Sequence, residues 1–434
     1  MLKRILITLL LAGSALAQDT ADPALTAEVH AVYPQLEKLY LDLHQTPELS
    51  TLEANTSTKL AAIVRDLGYS VTDHVGGYGV VAILKNGPGP TVMFRTDMDA
   101  LPVEEKTGLP YASRVHMKDI TGDTVPVMHA CGHDIHMSAW IGTATIMAKA
   151  RDRWSGTLIM VAQPAEERVL GAKAMIKDGL FTRFPKPDFA IGLHDWATMP
   201  AGTVGAANGP AMASSDSINL TIYGKGGHGA WPQQTIDPVV IAARVVLALQ
   251  TLISREKDPI EPGVVTVGAI HGGAKANVIP DQVDLQISVR AFNPKVRNQL
   301  VFGIFRIAKA EAAAANAPRE PEMKVIESTQ AVHNDPKLFA RLMPVLGRTL
   351  GEKNVQTIPP VTGSEDFSEY LAEGIPGFFM AAGAVPSQKW TAAQGDITKL
   401  PSLHSALFAP DYNPTIQTAV AAEVSVLREL LKKQ

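Results

Sequence analysis

Short apolar runs alternate with helical segments through the first half of the chain, and this alternation constrains the fold more than any other sequence feature. The runs have the composition of buried strands; they are residues 80–85, 91–95, 157–162 and 189–193. Apolar residues recur at helical spacing in residues 24–43, 53–67, 138–150 and 172–178. Strands alternating with helices predict an α/β domain with a largely parallel sheet. Residues 86–90 (Asn-Gly-Pro-Gly-Pro) predict either a hairpin or a strand–turn–strand.

The pattern changes near Gly209 and returns near Thr329. Between these points the predicted strands are 217–223, 264–271 and 282–292, and the predicted helices are 238–252 and 295–315. Two helices on a small antiparallel sheet form an α+β sandwich of normal domain size. We therefore predict an inserted domain at residues 210–327 that interrupts one α/β domain made of residues 18–209 and 328–434.

The amino terminus has the features of a cleavable signal peptide at residues 1–17. Lys3 and Arg4 precede the apolar run 5–12, and Ala15-Leu16-Ala17 has the small-x-small pattern of a cleavage site. The run is too short to span a bilayer, which needs about 20 residues. A short buried terminal helix is the alternative. We expect export to a bacterial periplasm or secretion, with a mature chain that starts at Gln18.

Charge and composition exclude several classes of partner. The formal net charge of −4 offers no basic surface for nucleic acid. No basic amphipathic segment indicates binding to a membrane surface. With 46% hydrophobic and 19% charged residues, the chain is ordinary globular material.

Residues 128–136 (Met-His-Ala-Cys-Gly-His-Asp-Ile-His) contain the single cysteine among 434 residues. A thiolate two residues from an imidazole suits a borderline metal such as zinc. The alternative is a buried free cysteine with histidines that cap a helix. Exported chains usually pair their cysteines, so one cysteine left over favours the metal site.

Four more polar stretches accompany this one, and most follow predicted strands. They are residues 95–99 (Arg-Thr-Asp-Met-Asp), 163–167 (Gln-Pro-Ala-Glu-Glu), 192–195 (Gly-Leu-His-Asp) and 403–405 (Leu-His-Ser). Each alone could be a solvated loop, but open α/β sheets bind ligands where strands end. The neighbours Glu166 and Glu167 repel each other unless a cation or a shared proton intervenes. One could hold a metal while the other takes a proton from metal-activated water.

These stretches, with residues 95–102 (Arg-Thr-Asp-Met-Asp-Ala-Leu-Pro) and 226–232 (Gly-Gly-His-Gly-Ala-Trp-Pro), resemble the aminoacylase and carboxypeptidase family of two-metal hydrolases. Within it the chain is similar to hippurate hydrolases and indole-acetyl amino acid amidohydrolases. The likeness spans nearly all of the mature chain. It implies a zinc-aminopeptidase-type catalytic domain with an inserted lid or dimerisation domain, and two divalent ions (Zn, Mn, Co or Ni).

The resemblance also implies a role for each site residue. Cys131 would bridge the two metals, and the other ligands would be His133, Glu167, His194 and His404. Glu166 would be the general base, with Asp97 orienting a ligand from behind. His136 would be structural or support a ligand, and residues 363–367 (Gly-Ser-Glu-Asp-Phe) would have a supporting role near the substrate.

Three more residues are implied to act on the substrate. His228 of the inserted domain reaches an active site in relatives, often that of the partner subunit, and polarises the scissile carbonyl. Asn277 and Arg290 would bind the substrate's free carboxylate. Residues 226–229 could instead be a plain turn, and Arg290 could instead pair with Asp281 or Asp284.

We therefore predict an exported metal-dependent amidohydrolase or carboxypeptidase that cleaves N-acyl, aroyl or peptidyl amino acids. Its partners would be a small-molecule substrate and, through the inserted domain, a second copy of the chain. A dipeptidase or deacetylase of the same family is the alternative, and a non-catalytic binder of amino acid conjugates is a third. Two departures from the family pattern, at 168–171 and 195–196, lie beside the metal site and concern substrate preference. The sequence leaves open the acyl group, the amino acid and the metal.

Overall fold

The computed structural model describes residues 22–433, so the predicted signal peptide at 1–17 lies outside the described residues. The helices are α1 (Pro23–Gln45), α2 (Ala54–Asp66), α3 (His133–Lys149), α4 (Gly171–Lys177), α5 (Pro238–Thr251), α6 (Pro294–Ala314), α7 (Pro336–Leu350), α8 (Ser368–Ala372), α9 (Ser387–Ala393) and α10 (Tyr412–Leu430).

The strands of the first part of the chain are β1 (Ser70–Val75), β2 (Gly79–Asn86), β3 (Thr91–Asp97), β4 (His116–Lys118), β5 (Thr124–Pro126), β6 (Gly156–Gln163), β7 (Phe189–Pro200), β8 (Val204–Ala206) and β9 (Pro210–Met212). The later strands are β10 (Ser214–Tyr223), β11 (Gly227–His228), β12 (Gly263–His271), β13 (Val278–Ile279), β14 (Gln282–Ala291), β15 (Glu322–Thr329), β16 (Val332–His333), β17 (Val355–Thr357) and β18 (Gly377–Val385).

Four of the long helices begin with the same local chemistry, an Asp or Asn N-cap followed by proline. The caps are Asp22, Asp237, Asn293 and Asp335, and each side chain accepts a hydrogen bond from a main-chain N–H of the first turn. Proline fits the first helical position because its φ is already helical and it has no N–H to leave unpaired. These helix starts are therefore encoded locally.

The large sheet has the strand order β1-β2-β6-β3-β7-β18-β8-β17. Its central strands β6, β3, β7 and β18 are parallel, and the pairs β1–β2 and β2–β6 are antiparallel. This confirms the α/β fold class. Strand β6 lies between β2 and β3, so the hairpin alternative for residues 86–90 is wrong and the strand–turn–strand alternative is correct. Both β2 and β3 pair with β6, which is distant in sequence, because β6 offers each of them an apolar partner.

The helices α1, α3 and α10 cover one face of the large sheet and form the main core. The close approach of these helices depends on Gly142 in α3. A Cβ at this position would lie 2.6 Å from Leu36 Cδ1 and 2.7 Å from Val420 Cγ2. Trp140, two residues before Gly142, is fully buried in the same core. Tight packing of α3 fixes the end of the helix that carries His133.

The inserted domain has a four-stranded antiparallel sheet in the order β12-β14-β10-β15. Helices α5 and α6 pack on one face of this sheet with a separate apolar core. The predicted limits of this domain, 210 and 327, fall at the start of β9 and inside β15, and the domain limits stay a prediction. The segment Pro238–Glu256 is long and apolar enough to cross a membrane by length and composition alone, but α5 packs on the sheet.

Candidate active site

Polar side chains converge where β3 and β6 end, beside the start of α3 and the middle of β7. Residue His194 lies within β7, which continues to Pro200, rather than after the end of a strand as predicted. Helix α3 starts earlier than predicted, at His133. It can do so because Gly132 has a φ of 78°, and a Cβ there would lie 2.3 Å from Asp195 Oδ1. Only glycine fits this turn.

The five residues predicted as metal ligands lie together. Cys131 Sγ is 3.2 Å from His404 Nε2 and 3.5 Å from His194 Nε2. His133 Nε2 is 3.9 Å from Glu167 Oε1, and His404 Nε2 is 3.4 Å from Glu167 Oε2. Cys131 belongs to two groups of potential ligand atoms within 4.8 Å of one another, one with His133 and His194 and one with Glu167 and His404. A shared thiolate is what the predicted bridging role requires.

Main-chain carbonyls set the tautomers of two of these histidines. The Nδ1–H of His133 donates to the carbonyl oxygen of Asp99 (2.7 Å), and that of His194 donates to the carbonyl oxygen of Asp195 (2.6 Å). Each bond leaves the Nε2 lone pair directed away from the main chain. Both rings therefore present Nε2 to the same space beside Cys131.

Unpaired buried atoms show that this space suits cations. His133 Nε2 and Glu167 Oε1 are buried, and neither has a hydrogen-bond partner among residues 22–433. Unpaired buried polar atoms are rare and costly. Burial and the carboxylates of Glu167 and Glu166 raise the pKa of the Cys131 thiol well above its usual range. A divalent cation would pair the orphaned atoms and stabilise the thiolate, so the donor set fits metal ions.

Glu166 follows the same electrostatic pattern. Its carboxylate, the carboxylate of Glu167 and the imidazole of His133 form another group, in which the donor atoms lie within 4.8 Å of one another. Burial raises the pKa of Glu166 well above its usual range, and the carboxylates of Glu365 and Glu167 add to the effect. A carboxylate with a raised pKa is suited to accept and return a proton near neutral pH.

Asp97 lies behind the cluster, in the position predicted for an orienting carboxylate. Its Oδ1 is 2.6 Å from His136 Nδ1, and its Oδ2 accepts a hydrogen bond from Arg95 Nη1 at 2.6 Å and lies 3.9 Å from His133 Nε2. Burial opposes its ionisation, but His133, His136 and Arg95 hold the pKa of Asp97 well below its usual range. His136 also lies 3.0 Å from Asp195 Oδ1. Asp97 and His136 thus fix each other's orientation beneath the candidate metal ligands.

Two carboxylates that sequence reasoning left without a role hold the turn that carries Glu166 and Glu167. Asp99 accepts hydrogen bonds from the main-chain N–H of both residues, each at 3.0 Å. Glu53 Oε1 accepts the N–H of Ala165 and of Thr51, each at 2.8 Å. Ala165 has a φ of 52°, so this turn is held in a conformation that non-glycine residues rarely adopt.

The sequence indicates the role of Asp99 better than that of Glu53. Asp99 belongs to the stretch 95–99 that the sequence singles out, and its spacing from Asp97 puts both on one side of a strand end. Glu53 lies far away in the sequence, at the N-cap of α2, and no local pattern indicates its contact with Ala165. The supporting stretch 363–367 joins through Glu365, which accepts a hydrogen bond from the buried Arg95 at 2.8 Å.

A cavity of about 800 Å³ opens from the metal-ligand cluster toward the inserted domain. Cys131, Glu166, His404 and Arg290 all line it. Arg290 Nη1 donates to Ser364 Oγ at 2.7 Å. Neither Asp281 nor Asp284 forms an ion pair with Arg290 in the described chain, so the structure does not support the alternative role.

His228 and Asn277 lie together but not at this cavity. Strand β11, which contains His228, pairs with β13, and the N–H of Gly229 donates to the carbonyl of Asn277 at 2.9 Å. His228 is exposed, and its ring lies 4.9 Å from that of Trp231. Neither residue is among those that line the cavity of the described chain. The predicted contacts of His228 and Asn277 with the substrate would therefore have to be made at a cavity other than that of their own chain.

Comparisons with known proteins agree on one family. The family model described as peptidase family M20/M25/M40 matches residues 93–396. The chain is 36% identical over 362 residues to an N-acetyl-L-cysteine deacetylase of Bacillus subtilis, covering 82% of each chain. It is 36% identical to a hippurate hydrolase of Campylobacter jejuni, covering 79% of this chain and 86% of that protein.

The solved structures agree with the sequences. A dinuclear metal-binding peptidase of the M20 family from Bacillus subtilis superposes with a TM-score of 0.72 at 30% identity, covering 92% of this chain and 98% of the other.

Proposed function

Because the chain belongs to peptidase family M20/M25/M40, we propose that it hydrolyses the amide bond of N-acyl, aroyl or peptidyl amino acids that carry a free carboxylate. It is a metal-dependent hydrolase of amide bonds, and its active site takes two divalent metal ions. The observation that carries the proposal is the position of Glu166. Its carboxylate lies beside the predicted ligands and on the wall of the cavity that also contains Arg290.

The chain's own residues account for binding and proton transfer. Cys131, His133, Glu167, His194 and His404 would hold the metal ions, which supply Lewis acidity that lowers the pKa of water and polarises a carbonyl. Glu166 takes the proton from the attacking water and delivers it to the leaving amide nitrogen. Arg290 receives the substrate's free carboxylate, since an arginine fork matches a carboxylate with two hydrogen bonds.

We further propose a dimer formed through the inserted domain, in which His228 and Asn277 serve the partner's cavity. Both residues lie outside the cavity of their own chain. Helices α5 and α6 expose large apolar side chains, with Leu247 and Phe302 each 72% exposed. Exposed apolar groups of this size on one domain favour a protein contact. His228 would then stabilise the oxyanion that forms on the scissile carbonyl.

We also propose that the chain is exported to the periplasm or secreted. The support is the sequence of residues 1–17, with Lys3 and Arg4 before an apolar run and a small-x-small cleavage pattern. Mass spectrometry of the protein recovered from an osmotic-shock fraction tests this. An amino terminus at Gln18 is the expected result, and an uncleaved cytoplasmic chain would contradict it.

A hydrolysis panel tests the enzymatic proposal. The mature protein is stripped of metal with a chelator and assayed on N-benzoyl, N-acetyl and indole-acetyl amino acids with Zn, Mn, Co or Ni added in turn, since thiolate, imidazole and carboxylate donors accept all four. We expect activity that needs added metal and a free substrate carboxylate. Full activity after chelation and dialysis, or silence across every metal and substrate, would overturn the proposal.

A further inference from the structure

The inserted domain contributes part of one sheet face to the active-site cavity. Side chains alternate between the two faces of a strand. One face of this sheet packs on α5 and α6 through buried Ile218, Leu220 and Ile287. The opposite face lines the cavity with Ser215 and Ser217 of β10, Ser288 and Arg290 of β14, Val264 and Thr266 of β12, and Glu327 of β15.

The part of this face that lines the cavity carries two opposite charges at fixed positions. Arg290 pairs with Ser215 across β14 and β10, and Glu327 pairs with Ser217 across β15 and β10. Since β10 lies between the other two strands and the partners Ser215 and Ser217 are two residues apart, the main chains of Arg290 and Glu327 are about 12 Å apart. The other side chains of the inserted sheet that line the cavity are neutral, so the cavity has one positive and one negative position on this sheet.

The negative position has no cationic partner among the described residues. The Glu327 carboxylate accepts one long hydrogen bond from Ser217 Oγ, at 3.3 Å. Nearby cations have other partners: Lys173 pairs with Glu369 at 3.6 Å, and Arg297 pairs with Asp216 at 2.6 Å. Arg290 is the one lysine or arginine of the described chain that lines the cavity. A carboxylate exposed to a cavity without a counter-charge attracts a cationic ligand group.

We propose that Glu327 forms a subsite for a positively charged group of the substrate, while Arg290 binds the substrate's free carboxylate. This inference rests on the proposed function and narrows its substrate class to conjugates that carry a cation. The cation has two possible sources, the side chain of a basic amino acid or the free α-amino group of a dipeptide. Substrates with an additional carboxylate near Glu327 would be disfavoured for the same reason.

Two isosteric substrate pairs test the subsite. N-acetyl-L-arginine is compared with N-acetyl-L-citrulline, and glycyl-L-leucine with glycolyl-L-leucine, which has a hydroxyl in place of the ammonium. We expect the cationic member of at least one pair to have a kcat/KM about fivefold higher, the upper range for a partly exposed ion pair. The difference should appear in KM, because the ion pair forms equally in the ground state and the transition state.

Charge variants of Glu327 identify the cause. E327Q keeps the shape and should remove the preference, and E327K should reverse it. The matched control is E322Q on the same strand, whose carboxylate bonds Tyr223 and Lys324 away from the cavity. This control should keep the wild-type preference. An unchanged preference in E327Q, or none in the wild type for either pair, would overturn the inference.

A binding measurement separates this inference from the proposed function. Calorimetry of the same pairs on metal-loaded E166Q, with and without E327Q, measures the charge preference without turnover. Tighter binding of the cationic member that depends on Glu327 supports the subsite even if no hydrolysis is found, which would overturn the proposed function alone. Equal binding of both members would overturn the subsite even if hydrolysis proceeds.

Discussion

The two domains hold their functional side chains in different ways. In the α/β domain, the rings of His133 and His194 are buried and each is fixed by a main-chain carbonyl. In the inserted domain, His228 is exposed on a two-residue strand and Glu327 is exposed on an edge strand. The difference indicates that burial preorganises these two imidazoles. Under the proposals above, the substrate or a second chain would complete the contacts of the exposed residues.

The largest expected effect belongs to the buried domain. Replacing Glu166 with Gln removes the proton acceptor, and kcat on N-benzoylglycine should fall about a thousandfold. The metal content should stay the same, because the role assigned to Glu166 is not that of a ligand. The assay combines steady-state kinetics with elemental analysis of the bound metal.

The control for this variant is E104Q, which changes an exposed carboxylate that pairs with Lys106. It should have wild-type activity. An E166Q enzyme within tenfold of the wild type would show that another group carries the proton.

The next largest effect is expected for the exposed His228 of the inserted domain. H228A should lower kcat about a hundredfold, the usual loss for one oxyanion donor, with unchanged metal content. If His228 serves the partner, then mixing H228A with E166Q should restore activity, because one of the two sites in the mixed dimer is intact. Statistical mixing gives about a quarter of the wild-type rate. A mixture as inactive as its components would show that His228 does not act across a dimer.

A third prediction concerns the stability of the buried domain. Glu423 of α10 is buried and accepts a hydrogen bond from Thr143 of α3 at 2.6 Å. Burial raises its pKa from 4.5 to about 8. The folded chain therefore keeps a proton that the unfolded chain releases, so this stabilisation is complete below pH 4.5 and is lost as pH rises toward 8.

The variant E423Q should remove this dependence, since its side chain is neutral in both states. Between pH 5 and pH 7 the free energy of unfolding of the wild type should fall by about 2 kcal/mol more than that of E423Q. Urea unfolding at the two pH values measures the difference. Equal pH dependence in the two proteins would mean that Glu423 is ionised in the fold.

The smallest expected effect concerns the turn at Ala165, which precedes Glu166 and Glu167 and is held by Glu53. In E53A the N–H groups of Thr51 and Ala165 lose their acceptor, so kcat should fall about tenfold, as for one buried hydrogen bond. Burial and Asp99 raise the pKa of Glu53 to about 8, so Gln is its neutral equivalent. E53Q should therefore keep wild-type kcat and KM. Equal impairment of E53Q and E53A would contradict this positioning role.

Much of the site was predictable because its residues are marked locally. The stretch 163–167 follows an apolar strand of the parallel sheet, where such ends converge, and the stretch 128–136 places a thiol two residues from an imidazole. The predicted ligands accordingly lie together. The position of His194 inside β7 and the separation of β2 from β3 were not predictable, since both depend on which strands pair.

The sequence by itself determined the alternation of strands and helices, the helix starts at Asp-Pro and Asn-Pro, and the set of candidate metal donors. These properties depend on local backbone preference and on side-chain chemistry. Only the tertiary structure decided that Glu53 holds Ala165, that Arg290 and Glu327 share one cavity, and that His228 lies outside it. Such contacts join residues far apart in the chain, and their geometry is set by packing rather than by local pattern.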